Sequence, residues 1–255
     1  MVSIDLLLLA PLAFTIGFID IVFGMGYGTI LTPILIIAGF HPLRAISAVV
    51  FSQFLGSFAS SILHHKLGNV NFSRRSLDLR VAITLSVPSF IGPLIAYNIA
   101  SNIPIFYVKL YISVALIIIG AIVFLGIKGV KPSWRRILLL SFIAGFNKGF
   151  TGGGYGPIVT SGQIVSGIKA KSAVAITSLA RGIACLTTVL AYTLGGMLDL
   201  KITLYLTVGI LLSTPTATYT VRRVRTRSLR HGIGILTLTL GAIILLKTLL
   251  DVNVM

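Results

Sequence analysis

Of the five acidic residues in this 255-residue chain, Asp20 is the one that falls deep inside an apolar stretch. Two basic residues share that setting. Lys148 lies four residues before a run of glycines, and Arg181 lies ten residues into the apolar segment Lys171–Leu194. A charge at the centre of a bilayer costs at least about 2.5–3.5 kcal/mol on insertion scales, so such groups face a cavity or a partner. Arg44, Lys109, Lys201 and Lys247 sit near the ends of apolar segments, where long side chains reach the interface. Asp20 and Lys148 are expected to pair. Taking both out of water costs several kcal/mol per ion, and an arriving anion tips that balance toward a protonated Asp20, which makes the two a proton-coupling pair. Arg181 presents a planar fork of donors suited to an oxyanion. Gln53, Ser52, Thr177 and Ser178 lie where they could complete the donor set, although hydroxyls in spans commonly bond their own helix.

Two glycine runs frame these residues: Gly24-Met25-Gly26-Tyr27-Gly28 and Gly152-Gly153-Gly154-Tyr155-Gly156. Such runs do not hold a helix, because glycine loses the most backbone entropy and packs no side chain. Each therefore predicts an elbow between two shorter helices. Irregular backbone survives in lipid only where it lines a cavity or is buried in protein. Gly26, Tyr27, Gly28, Gly154, Tyr155 and Gly156 are thus expected to border one cavity. Their N–H groups and the helix starts that follow add positive potential for an anion.

The two runs belong to an internal repeat. A shift of 128 residues aligns Gly17–Gln53 with Gly145–Arg181, with 11 of 37 positions identical. Asp20 then corresponds to Lys148 and Gln53 to Arg181, and the chain divides into halves 1–127 and 128–255.

Composition says what must position these groups. The chain is 56% hydrophobic and 10% charged, against about 25% charged for a soluble domain, which excludes a soluble globular enzyme. Spanning helices need roughly 20 apolar residues. Leu43–Leu63, Leu79–Ala100, Pro104–Ile127, Lys171–Leu194, Ile202–Tyr219 and Gly232–Leu250 qualify, and the two glycine-interrupted regions Leu6–Gly39 and Ile137–Gly167 read as hairpins. The fold class expected is all-α, a polytopic transmembrane helical bundle of two inverted-topology repeats, an architecture of secondary transporters.

Charge sets the orientation. The net charge is +16, and 15 of the 21 basic residues crowd into four loops around 66–80, 128–136, 169–171 and 222–230. Basic loops stay cytoplasmic, which accounts for the charge without nucleic acid. With all four inside, both termini fall outside, in a multi-pass protein of the cell membrane. The N-terminus lacks a basic n-region and an A-x-A site, so Leu6–Phe23 reads as a retained segment.

The chemistry of an enzyme is missing. His41, His64, His65 and His231 fall in loops or at span ends, Cys185 stands alone, and no metal or cofactor site is expected. Neither glycine run has the spacing of a dinucleotide fingerprint, and no phosphate-binding lysine motif points to an ATP-driven pump. A secondary transporter leads; a passive anion channel is the alternative within transport, and an intramembrane enzyme is the more distant one.

The chain resembles the TauE/SafE family of membrane transporters, also called the sulfite exporter family. The resemblance rests on Gly17-Phe18, Gly24–Gly28, Pro33, Gly39, Pro42 and Ala45, repeated as Gly145-Phe146, Gly152–Gly156, Pro157, Gly167, Ala173 and Thr177-Ser178. It covers the whole chain. Met25 interrupts the first glycine run and Ser161 replaces Pro33 in the second half. The resemblance implies transport of sulfite, sulfonates or other sulfur-containing organic anions, linked to the proton gradient, with the lipid bilayer, protons and a small anionic substrate as partners.

Overall fold

A computed structural model describes residues 6–99, 105–125, 134–151 and 153–252. Ten helices and no strand occur among them: α1 (Leu6–Phe23), α2 (Tyr27–Ile37), α3 (Pro42–Lys66), α4 (Leu77–Ile99), α5 (Ile105–Phe124), α6 (Trp134–Thr151), α7 (Tyr155–Val165), α8 (Ala170–Leu194), α9 (Leu200–Arg223) and α10 (Thr226–Val252). Gly152, Lys128 and Lys131 lie outside the described residues.

The bounds of α1, α2 and α3 recur at α6, α7 and α8 at the 128-residue offset of the sequence. The offset shrinks to 123 at the start of α9, because residues 195–199 replace the longer connection 67–76. The short helices α2 and α7 close with the same pair of backbone bonds. The amides of Gly39 and Phe40 reach the carbonyls of Ile36 and Leu35, and those of Gly167 and Ile168 reach Ile164 and Gln163. Such bonds satisfy carbonyls that a helix end leaves open. At the other kind of boundary, the Asp199 carboxylate accepts the N–H groups of Lys201 and Ile202 and starts α9, as an N-cap carboxylate does.

Small residues set the packing. Gly17 of α1 rests on Ser213 of α9, and its repeat mate Gly145 of α6 rests on Ser89 of α4. Close backbone approach of this kind is how helices associate in lipid, where apolar side chains gain little by leaving the acyl chains. Helices α1 and α9, α4 and α6, and α5 and α10 pack as pairs, while α3 lies against both α8 and α9. Helix α3 runs antiparallel to α8: Gln53 lies beside Cys185 and Ser57 beside Arg181. Helix α5 runs antiparallel to α10, with Gly120 against Leu238 and Phe124 against Gly234.

Three of the basic loops, around 66–80, 169–171 and 222–230, gather at one end of the bundle. Arg230 donates to the carbonyl of Val123 at the end of α5, and Lys171 donates to that of Arg222. A vestibule of about 490 Å³ opens there between the start of α8, the start of α10 and the loop after α3, and is lined by His65, Asn69, Asp78, Lys169, Lys171 and Thr226 among others. On the outside of α6, α9 and α10, Leu139, Leu204, Leu212 and Leu246 are each at least 60% exposed, part of an apolar exterior of the kind that faces lipid. Among the described residues, five helical stretches are long and apolar enough to cross a membrane: Leu6–Phe23, Arg44–Lys66, Ala170–Leu194, Leu200–Arg223 and Thr226–Leu250. The chain is a multi-pass membrane protein. Helices α4 and α5 occupy the two remaining expected spans, whose ends at Ala100 and Pro104 lie outside the described residues.

Candidate functional site

The two helix breaks come together. Gly26 precedes α2 with a φ of 122°, and Gly154 precedes α7 with a φ of 73°, conformations that side-chain-bearing residues rarely adopt. The breaks touch backbone to backbone. A methyl group at Gly156 would run into the Gly24 carbonyl, and one at Gly153 would meet the amide nitrogen of Thr29 at 3.0 Å. The Gly154 amide donates to the Thr29 hydroxyl at 3.1 Å.

Between them lies a pocket of about 10 Å³, the room of about one water molecule. Asp20, Gln53, Lys148 and Arg181 all reach it, together with Gly26, Gly28, Gly154, Tyr155 and Gly156. All four polar side chains are buried, none more than 2% exposed.

Their pairing corrects the sequence-based expectation, which gave Asp20 to Lys148. In the structure Arg181 takes that place. Its Nη1 donates to Asp20 Oδ1 at 3.0 Å and its Nη2 lies 2.8 Å from Asp20 Oδ2. Arg181 is also tied by Nε to the Ser57 hydroxyl at 3.1 Å and by Nη1 to the Gly24 carbonyl at 3.4 Å. Asp20 accepts a further bond from the Tyr27 amide, the first N–H of α2, so a carboxylate caps that helix start. Lys148 donates its ammonium proton to Gln53 Oε1. The physical reason for the exchange is the antiparallel contact of α3 and α8. It carries each residue of the 53/181 pair across the centre to the opposite elbow.

The hydroxyls expected to complete the donor set lie elsewhere. Ser52 bonds the Tyr27 hydroxyl and the Val49 carbonyl. Thr177 accepts from Thr160 and Gln163, and Ser178 donates to Val174 one turn back in its own helix. Tyr27, expected to border the cavity, does not line the pocket; its backbone amide donates to Asp20, while its hydroxyl bonds Ser52 and the Leu206 carbonyl. Tyr155 mirrors it, with its hydroxyl on Ser89, which in turn bonds Ser141.

Broken helices that enclose buried polar groups recur among secondary transporters, and comparison with known proteins gives the family of this one. Residues 9–244 match the family model described as sulfite exporter TauE/SafE. The chain belongs to the TauE/SafE family. A relative in Bacillus subtilis (strain 168), called probable membrane transporter protein YtnM, is 30% identical over 152 residues. That match covers 56% of this chain and 48% of YtnM, so the chain aligns to about half the length of this relative. The relative's name describes a membrane transporter.

The site also draws on Thr29 and Ser57, which the sequence motifs did not single out. Thr29 and Gly153 form the contact between the elbows, and Ser57 holds Arg181. Ser57 had a signal: it lies four residues after Gln53, on the same face of one helix. Thr29 had none, because its role depends on the other half of the chain. Among the described residues no cluster of His, Cys, Asp or Glu could hold a metal ion.

Chemically, the arrangement holds a carboxylate with a guanidinium fork and a helix-start amide, buried beside the Lys148 ammonium. Charge-assisted bonds of this kind are strong and directional. Any group with two oxygens on one centre meets the same donors as the Asp20 carboxylate.

Proposed function

We propose that this protein moves small anions of the sulfite or sulfonate class across the cell membrane, with proton movement linked to the anion. The observation that carries the reading is that the Asp20 carboxylate occupies the Arg181 fork and the Tyr27 amide together. A protonated Asp20 is neutral and releases both donors. A sulfite or sulfonate then replaces the carboxylate oxygens one for one. Protonation and anion binding are thereby linked without any further device. Lys148, held by Gln53, adds positive charge that favours the anion over water. The pocket has room for about one water, so entry of an anion separates the two elbows. Gly26, Tyr27, Gly28, Gly154, Tyr155 and Gly156 supply the backbone that moves, and Ser52, Thr177 and Ser178 serve to brace it.

In this reading the halves 1–127 and 128–255 are inverted repeats, each with a glycine-interrupted hairpin. The recurrence of helix bounds and the antiparallel course of the equivalent helices α3 and α8 support it. Inverted repeats around a midplane site suit alternating access. The basic end, with its vestibule, faces the cytoplasm, and both termini face outward. The protein works as a carrier without enzymatic chemistry.

The test is uptake into proteoliposomes carrying the purified full chain, across a panel of sulfite, thiosulfate, taurine, sulfoacetate and sulfate. Accumulation against a gradient when a pH difference is imposed supports the reading. Flux that only dissipates the anion gradient, with no response to pH difference, identifies a passive channel instead.

A further inference from the structure

One buried titratable group has no part in the site described above. His64 is fully buried near the end of α3, and its Nε2 meets no hydrogen-bond partner. Its Nδ1 lies 3.0 Å from the Asn69 side-chain nitrogen, which also donates to the Thr218 carbonyl of α9. Because the amide donates, Nδ1 is the bare nitrogen and the ring proton sits on Nε2. A core that needed only packing would be served by an apolar side chain at no polar cost.

The surroundings of His64 connect two places. Asn69 lines the vestibule at the basic end, so one side of the ring is a single amide away from water. On the other side, α3 presents Ser60, Ser57 and Gln53 on the face of His64, at spacings of four, seven and eleven residues, and all are buried. Ser57 holds Arg181, which holds Asp20. The rise from His64 to Ser57 is about 10 Å. Arg181 on α8 acts on His64 through space by its charge; α9 contributes the Thr218 carbonyl and the loop after α3 contributes Asn69.

We propose that His64 is the station that passes protons between the basic-end vestibule and Asp20, along the hydroxyl face of α3. The inference rests on the proton-linked reading above. The step balances. A proton from vestibule water arrives on Nδ1 once the Asn69 amide turns to offer its oxygen. The proton on Nε2 leaves toward the serine face and ends on an Asp20 carboxylate oxygen. The ring then reorients and regains its starting tautomer.

The experiment reconstitutes the full-length parent and the variants His64→Gln and His64→Asn in proteoliposomes, with sulfite as the probe. Exchange of labelled sulfite at equal pH needs no net proton movement. Uptake driven by an imposed pH difference needs it, and a trapped pH dye reports the proton itself. The expected result is sulfite exchange within two-fold of the parent, with pH-driven uptake and dye response lowered at least ten-fold. A variant that keeps pH-driven uptake within two-fold overturns the inference while leaving the proton-linked reading intact. Loss of exchange in both variants also overturns it, because the histidine is then structural. A parent that exchanges sulfite but ignores the pH difference overturns the proton-linked reading, and this inference with it.

Discussion

Arg181 and Asp20 meet as an ion pair at 2.8 Å, and the residues 128 positions from each, Gln53 and Lys148, meet one another as well. One half thus places an acid at the α1 position and an amide on α3, and the other places a base on α6 and a guanidinium on α8. The two contacts correspond, but only one is an ion pair of opposite full charges. The centre carries a built-in imbalance of one positive charge when all three ionisable groups are charged.

Removing one partner of this pair strands the other. Arg181→Gln leaves a buried carboxylate, a change that typically costs about 3–5 kcal/mol. The expected outcome is a large fall in the midpoint of thermal unfolding in detergent and loss of sulfite binding. Asp20→Asn combined with Arg181→Gln should recover part of the stability and none of the binding. A double variant no more stable than Arg181→Gln alone would show that the pair is not coupled.

The contact between the elbows makes a sharp contrast between two glycines. Gly156→Ala pushes a methyl group at the Gly24 carbonyl and the Met25 backbone, whereas the nearest atom to a methyl at Gly195 is a carbonyl oxygen at 3.5 Å. Gly156→Ala should lower sulfite flux at least ten-fold, and Gly195→Ala should leave it within two-fold. Equal flux in the two variants, measured at matched protein density, would refute the close approach.

Tyr27 and Tyr155 are expected to respond alike. Each hydroxyl is buried and bonded to a serine, and a hydrogen bond of this type contributes about 0.5–1.5 kcal/mol net. Tyr27→Phe and Tyr155→Phe should each destabilise by about 1 kcal/mol, read as a fall of a few degrees in the unfolding midpoint. The link from Tyr27 to Asp20 is its backbone amide, so anion affinity in Tyr27→Phe should stay within about two-fold of the parent.

Cys185 is the single cysteine of the chain and is buried, with its sulfur 3.9 Å from Gln53 Oε1. A charged, water-soluble thiol reagent should label it slowly in the folded protein and fully after unfolding in dodecyl sulfate. Adding sulfite should change the slow rate, because the anion alters how often the elbows part. Fast, complete labelling of the folded protein, read by intact mass, would contradict the packing around Gln53.

The breaks at Gly24–Gly28 and Gly152–Gly156 and the three deep charges were legible in the sequence because glycine runs and charges are rare in apolar stretches. The choice of partners was not. The repeat gave Asp20 and Lys148 equivalent positions, but equivalence says nothing about which equivalent helices cross at the centre. Ser52 and Ser178 were named for being near Gln53 and Arg181 in sequence, yet their hydroxyls had a carbonyl one turn back within reach. His64 was read as the end of a span that closed at Leu63. Helix α3 continues to Lys66, and those three residues bring the imidazole into the interior.

The contact of Gly156 with the Gly24 carbonyl has a mechanical meaning. Each elbow is the wall against which the other rests, so neither can swing without displacing its neighbour. Two such parts behave as an interlock, like the doors of an airlock. In the carrier reading proposed above, such an interlock would resist leakage through geometry, because the shape that admits solute from one side would seal the other.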